Sequence, residues 1–138
     1  MTYNYPKVKM VEGRFGPTNT GHYYKPAYYH NKKVSGNPNK SHWLLKQNEQ
    51  YEVFRLADEG QWLDKGRNGL YSIINDGEEI LGLDGECLAF FPSPTNNNDP
   101  WHGYPTDSKD MSDELKDQWY EDKIVSEITY RRLLRCAI

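Results

Sequence analysis

The sequence lacks the patterns that mark the common nucleotide-dependent and metal-dependent enzymes. It contains no GxGxxG or GxxxxGK[ST] loop, no HExxH or GxSxG motif and no EF-hand loop. Its two cysteines, Cys87 and Cys136, form no CxxC pair, whereas a structural zinc site needs about four Cys or His ligands. We therefore expect no metal and no cofactor, and two reduced thiols rather than a disulfide.

Long apolar runs are also missing. The longest is the LAFF tetrapeptide at residues 88–91, far short of the roughly 20 residues that span a bilayer. The first six residues, MTYNYP, contain no apolar signal-peptide core. The sequence therefore predicts a cytoplasmic protein without a membrane segment.

What the chain does contain is aromatic residues, including 11 Tyr and 4 Trp in 138 residues. This length fits one domain, residues 1–138, with a core built largely from rings. The predicted fold class is α+β: an antiparallel sheet with a three-stranded meander at about residues 69–91, and a C-terminal helical hairpin at about 112–136 packed on it. We expect an irregular or short-stranded N-terminal segment.

Local patterns divide the chain into four parts. Glycine and proline break residues 1–41, which leaves a loose arm or short strands at residues 8–11 and 23–29. Residues 42–92 are predicted as sheet, with strand formers at 42–45 and 51–56. The meander consists of residues 70–74, 79–83 and 86–91, and the Asp84-Gly85 dipeptide predicts a hairpin that places Leu81 opposite Leu88.

The rest of the chain is a polar loop at residues 93–110 followed by two helices at 111–138. Met111, Leu115 and Trp119 recur every four residues and predict an apolar helix face. Ser112 or Asp110 can cap the first helix and Ser126 the second. The second helix has its own apolar stripe, which comprises Tyr130, Leu133, Leu134 and Ala137.

Charge is divided unevenly along the chain, although the net charge is only −3. Residues 1–50 contain 8 Lys or Arg and 2 Asp or Glu, a net charge of +6. Residues 51–138 contain 9 Lys or Arg and 18 Asp or Glu, a net charge of −9. Either the basic segment lies across the acidic part and neutralises it, or the two parts face different partners.

The string PWHGYP, residues 100–105, is the most unusual local motif. Trp101, His102 and Tyr104 project from a backbone stiffened by two prolines. This pattern indicates a preorganised recognition loop, or a histidine held for acid–base work. The alternative is a loop pinned to the sheet by Trp101 and Tyr104, with His102 as a hydrogen-bonded spacer.

A second candidate site interleaves rings and cations between residues 21 and 33. This mixture suits single-stranded nucleic acid, since bases stack on rings and lysines meet phosphates. A metal-independent ribonuclease is one hypothesis, with one histidine as base, another as acid and a lysine stabilising the phosphate. Its candidates are His22, His30, His42, His102, Lys25 and Lys32, and the binding candidates here are Tyr23, Tyr24, Tyr28, Tyr29, Lys32 and Lys33.

The C-terminal helices allow two further interpretations. Arg131, Arg132 and Arg135 would face DNA in a helix-turn-helix, which makes a nucleic-acid-binding regulator a third hypothesis. The acids of the preceding helix would instead attract a basic protein. Our leading hypothesis is a small non-enzymatic binding protein, either an inhibitor, an immunity-type protein or an adaptor, that recognises a protein partner through acidic and aromatic surface.

Overall fold

A computed structural model describes residues 3–26 and 42–138, and within them it confirms the α+β class. The elements in chain order are α1 (Gln47–Gly60), β1 (Leu63–Asp64), β2 (Gly69–Ile73), β3 (Leu88–Pro92), β4 (Tyr104–Thr106), α2 (Asp113–Glu121) and α3 (Glu127–Leu134).

The sheet is an antiparallel meander with four strands in the order β1-β2-β3-β4. Ile73 pairs with Leu88 across the central two strands, and Phe90 pairs with Tyr104 across the next two. All five residues of β2 are buried. The sheet is therefore covered on both faces, which explains why its strands do not alternate between apolar and polar residues.

The strand predicted at residues 51–56 is wrong, because these residues lie inside α1. The buried positions Gln50, Tyr51, Val53, Phe54 and Ala57 follow the helical period. The ion pairs of α1 have the same period: Arg55 pairs with Glu52 at 2.8 Å and with Glu59 at 2.7 Å, at helical spacings of three and four residues. The six residues 51–56 are too few to show the helical period, which is clear over the fourteen residues of α1.

The predicted pairing of residues 79–83 with 86–91 is also wrong. β2 pairs directly with β3, and the Trp43–Gly82 bridge joins the intervening segment to residue 43 instead. An Asp-Gly hairpin requires positive φ at both residues; Gly85 has a φ of 88°, but Asp84 is not in the left-handed region. The Gly85 amide instead donates to the Gly82 carbonyl at 3.1 Å, which closes a four-residue turn one position earlier, with Leu83 and Asp84 at its centre.

The polar loop predicted at residues 93–110 contains the fourth strand. β4 follows Gly103, where a Cβ atom would lie 2.1 Å from Cδ1 of Phe91. The Gly103 carbonyl also accepts a hydrogen bond from the indole nitrogen of Trp43 at 3.0 Å. Glycine is needed here because the backbone passes directly over the Phe91 ring.

The described part of the N-terminal segment is packed rather than a loose arm. The Phe15 ring stacks on Tyr51 at 5.3 Å and Tyr24 stacks on Phe54 at 5.6 Å, so both rings join the core on α1. The strands predicted at 8–11 and 23–29 reduce to isolated bridges at Val11 and Tyr24, and residues 27–29 lie outside the described residues. Val8 and Val11 are exposed, so burial does not stabilise a strand there.

The C-terminal helices confirm the predicted helical hairpin. Met111, Leu115 and Trp119 are buried, and Trp119 meets Trp62 edge-on at 5.5 Å. Ser126 caps α3 by accepting from the Thr129 amide at 3.2 Å. Of the predicted stripe on α3, Leu133 is buried and Tyr130 half-buried, whereas Leu134 and Ala137 are exposed because the helix ends at Leu134.

Two further findings concern the absences noted in the sequence. Cys87 and Cys136 are both free thiols. Across residues 3–26 and 42–138, no helix is long and apolar enough to cross a membrane.

Replacing Gly103 tests the close approach to Phe91. We expect Gly103→Ala to lower the free energy of unfolding by about 1–3 kcal/mol, because the added methyl group overpacks the core. Gly66→Ala is the matched control, since its Cβ would meet only Oδ1 of Asp64 at 3.5 Å. Equal denaturation midpoints for both variants would contradict this packing.

The pH dependence of stability tests the burial of Tyr71. Burial is the largest contribution that raises the pKa of this phenol from 10.0 to about 12, and the Arg67 guanidinium opposes the shift. The unfolded chain therefore ionises first, so the contribution of Tyr71 is complete below pH 10 and is lost as the pH rises towards 12. We expect Tyr71→Phe to flatten the alkaline fall in unfolding free energy, and Tyr120→Phe, whose ring is exposed, to serve as control. An unchanged slope in Tyr71→Phe would refute the assignment.

Candidate functional site

The structure brings two of the predicted sites together. The Trp101 amide donates to the Tyr23 carbonyl at 2.8 Å, and the Lys25 amide donates to the Trp101 carbonyl at 2.9 Å. This short parallel pairing places the basic, tyrosine-rich stretch beside the PWHGYP loop. The described members of both candidate sets, His22 to Lys25 and Trp101 to Tyr104, therefore belong to one surface region.

Most aromatic rings of this region are buried or half-buried and pack against the core. Trp101 is buried and packs on Phe54 at 5.6 Å, and Tyr24 is buried with its hydroxyl donating to Gln50 at 2.9 Å. Tyr104 is half-buried and meets Phe90 edge-on. His102 is exposed, and its Nδ1 donates to the Lys25 carbonyl at 2.7 Å.

His22 is held by a carboxylate that the sequence analysis did not single out. Its Nδ1 lies 2.8 Å from Oδ1 of Asp58, which is only 6% exposed. The other carboxylate oxygen accepts from the hydroxyls of Thr18 and Thr20, each at 2.5 Å. The imidazole is thus fixed through Nδ1, and no described residue hydrogen-bonds to its Nε2.

The histidines proposed for a ribonuclease are not assembled as acid and base within the described residues. No hydrogen bond or ring contact joins His22 to His102 there, since their Nδ1 atoms bond to Asp58 and to the Lys25 carbonyl. His42 is half-buried, and its Nδ1 has no partner among the described residues. His30, Lys32, Lys33, Tyr28 and Tyr29 lie outside the described residues, so the ribonuclease hypothesis stays a prediction.

A groove of about 490 Å³ opens beside His22. We call it the His22 groove. The N-terminal segment, the end of α1, the β1–β2 edge and α2 all contribute to its walls. Its lining residues are Thr20, His22, Asp58, Gln61, Leu63, Lys65, Leu70, Ser93, Trp101 and Gln118.

A second cavity, of about 670 Å³, lies at the junction of α2 and α3. Three carboxylates and one lysine line it, together with Tyr120 and Ile124. The Tyr120 ring stacks on Tyr130 at 4.6 Å, and the Tyr130 hydroxyl donates to Asp117 at 2.6 Å. That hydrogen bond is the main cause that raises the pKa of Tyr130. We call this region the hairpin surface; it comprises Asp76, Asp117, Tyr120, Glu121, Lys123, Ile124, Glu127, Ile128 and Tyr130.

The three arginines predicted to face DNA are exposed on or just after α3. Arg131 forms an ion pair with Glu127 at 3.2 Å. The exposed side of the neighbouring α2 holds Asp113, Glu114, Asp117 and Glu121. These carboxylates would repel phosphates close to the arginines, and the helix-turn-helix hypothesis stays a prediction.

Asp58 was missed because α1 was not recognised. Asp58 and Glu59 lie in the last turn of α1, where the helix dipole disfavours negative charge. The carboxylates of Asp58 and Glu59 in this turn therefore need hydrogen-bond donors close by. The structure supplies them from the N-terminal segment, since the Asn19 amide also donates to Glu59 at 2.9 Å.

Comparisons with known proteins add no functional information. No family model, no curated protein and no solved structure matches this chain. The described residues also contain no group of three or more His, Cys, Asp or Glu side chains placed to hold a metal ion. The functional argument therefore depends on the chain's own geometry.

Removing the Asp58 carboxylate tests its structural role. We expect Asp58→Ala to lower the free energy of unfolding by about 2–4 kcal/mol, because hydrogen bonds from Thr18, Thr20 and His22 to a charged group are lost. Amide exchange at Gly21 and His22 should accelerate, since both amides bond to Thr18. Asp84→Ala, at an exposed carboxylate, is the control; equal effects of the two changes would exclude this role.

Proposed function

We propose that the protein is a small cytoplasmic, non-enzymatic binding protein, of the inhibitor, immunity or adaptor type, that recognises a basic protein partner through the hairpin surface. The observation that supports this proposal is a set of exposed apolar and aromatic side chains surrounded by carboxylates. Ile128 is 74% exposed and Tyr120 is 39% exposed.

The chemistry of the hairpin surface matches that of a small recognition site. Interface cores favour aromatic and apolar anchors surrounded by a polar rim. Tyr120 and Ile124 line the cavity and supply such a centre, and Glu121 and Glu127 supply an acidic rim. The exposed Ile128 follows Glu127 in α3 and adds apolar surface next to this rim. The stacking of Tyr120 on Tyr130 fixes the ring before binding, which lowers the entropic cost of association.

Charge argues for a basic partner. Among the described lining residues of the cavity, three are carboxylates and one, Lys123, is a cation. Outside the lining, Arg131 pairs with Glu127 at 3.2 Å, so Asp76 and Glu121 carry the unpaired negative charge. The neighbouring carboxylates of α2 extend this negative field, which would steer a cationic protein and repel nucleic acid. A lysine- or arginine-rich helix with one apolar face would complement both the rim and the exposed isoleucine.

Fluorescence anisotropy with synthetic amphipathic peptides tests this proposal. We expect a Lys/Leu-rich helical peptide to bind with an affinity that falls steeply as salt rises. Replacing both Glu121 and Glu127 by Lys should weaken binding by at least about tenfold, or about 1.4 kcal/mol. Ile128→Ser should weaken it without changing the salt slope, because it removes apolar contact and no charge.

A matched control separates this surface from general charge attraction. Replacing Asp84 and Asp107 by Lys makes the same change in net charge at exposed positions outside the hairpin surface. This control should bind the peptide nearly as the unchanged protein does. Equal losses in both double variants, or binding independent of salt, would contradict the proposal.

A further inference from the structure

The His22 groove has a composition different from that of the hairpin surface, and it lies on another side of α2. Gln118 lines the groove and Tyr120 lines the hairpin surface. Two residues apart on a helix correspond to about 200° of rotation, so these side chains point in nearly opposite directions. The two cavities are therefore separate sites and can be tested independently.

The groove contains one charged side chain without a partner in the described chain, the lysine Lys65, although the protein as a whole is acidic. Among the described lining residues, Asp58 is the only carboxylate, and both of its oxygens already accept hydrogen bonds from His22, Thr18 and Thr20. Lys65 is exposed and forms no ion pair with any described residue. An ammonium group therefore faces the groove beside an imidazole whose Nε2 is not hydrogen-bonded within the described chain.

The C-terminal end of α1 also borders this groove and would oppose an anion. Two of its last four carbonyls, those of Ala57 and Asp58, are occupied, however. The Trp62 amide donates to the Ala57 carbonyl at 2.9 Å, and the Gln61 amide donates to the Asp58 carbonyl at 3.2 Å. The Gln118 side chain donates to the Gln61 carbonyl at 3.3 Å. The helix end is therefore partly satisfied, and the full charge of Lys65 exceeds the roughly half charge of a helix terminus.

The rest of the lining suits a flat heterocycle. Leu63, which is 41% exposed, and the edges of Leu70 and Trp101 provide apolar surface. Gln61 and Gln118 offer amide groups that both donate and accept, as the edge of a nucleobase requires. A volume of about 490 Å³ lies within the range of small-molecule sites.

We propose that the His22 groove binds a nucleoside phosphate. The phosphate would lie beside Lys65 and accept a hydrogen bond from Nε2–H of His22 in its doubly protonated form, because Nδ1 already donates to Asp58. The base would lie against Leu63 with its polar edge towards Gln61 and Gln118. The missing phosphate-binding loop does not oppose this site, because such loops hold di- and triphosphates through backbone amides. The same chemistry is available from a free mononucleotide or from the end of an RNA strand.

Calorimetry and ¹H–¹⁵N NMR titration of the full chain test this proposal. The probes are AMP, GMP, CMP and UMP, then inorganic phosphate, and a tetranucleotide RNA with and without a 5′-phosphate. We expect at least one mononucleotide to bind with a sub-millimolar dissociation constant and to shift the indole resonance of Trp101. Tighter binding of the phosphorylated RNA than of any mononucleotide would assign the site to a strand end, and the reverse would assign it to a free nucleotide.

Substitutions of exposed residues keep the test independent of folding. Lys65→Ala should weaken nucleotide binding about tenfold, and Lys109→Ala, at an exposed lysine outside the groove, should leave it unchanged. Leu63→Ser should weaken binding of the nucleotide but not of inorganic phosphate. Absence of binding at millimolar nucleotide, equal affinity for inorganic phosphate, or an unchanged affinity in Lys65→Ala would each overturn the proposal.

Discussion

The packing of aromatic rings around Phe54 is the interaction on which the rest of the structure depends. The Phe54 ring is fully buried and meets Tyr24 at 5.6 Å, Phe91 at 5.4 Å and Trp101 at 5.6 Å. These partners come from the N-terminal segment, β3 and the PWHGYP loop, so one side chain of α1 joins three distant parts of the chain. Aromatic pairs of this kind stabilise a core beyond the area that they bury. In a chain with modest aliphatic content, such a cluster replaces the usual leucine and isoleucine core.

Docking of the N-terminal segment on this cluster creates a second constraint at Asp58. The segment brings Thr18, Thr20 and His22 to the end of α1, where two acids oppose the helix dipole. A buried carboxylate without donors would be strongly destabilising. The same hydrogen bonds orient the imidazole of His22 beside a groove. One set of contacts therefore holds the segment in place through Nδ1 and leaves Nε2 without a partner in the described chain, so this structural role of His22 is compatible with the proposed binding of a ligand.

The sequence allowed the fold class and the C-terminal hairpin to be predicted, because the spacing of Met111, Leu115 and Trp119 repeats over two turns and Ser126 is a strong N-cap. It did not reveal α1, since alternation within residues 51–56 imitates a strand over a short window. The pairing of Gly82 with Trp43 depends on a contact 39 positions away in the chain, which no local turn signal encodes. Asp58 was missed for a related reason: this acid is unusual only because it lies at the C-terminal end of a helix, and that helix had not been predicted. Trp101 and His102 were found because their setting between two prolines is unusual by itself.

The charge separation along the chain acquires a physical meaning from these contacts. The described basic segment contacts the acids of α1 through groups other than lysine or arginine: the hydroxyls of Tyr3, Thr18 and Thr20, the amide of Asn19 and the imidazole of His22. Lys7, Lys9 and Lys25 are exposed and make no ion pair with any residue of the described chain. Within the described chain, folding therefore does not pair the lysines of the basic segment with the carboxylates of the acidic part. The cations stay in solvent at one part of the surface and the carboxylates of α2 at another, and because exposed charges act over about one Debye length, each surface presents its own sign to an approaching partner.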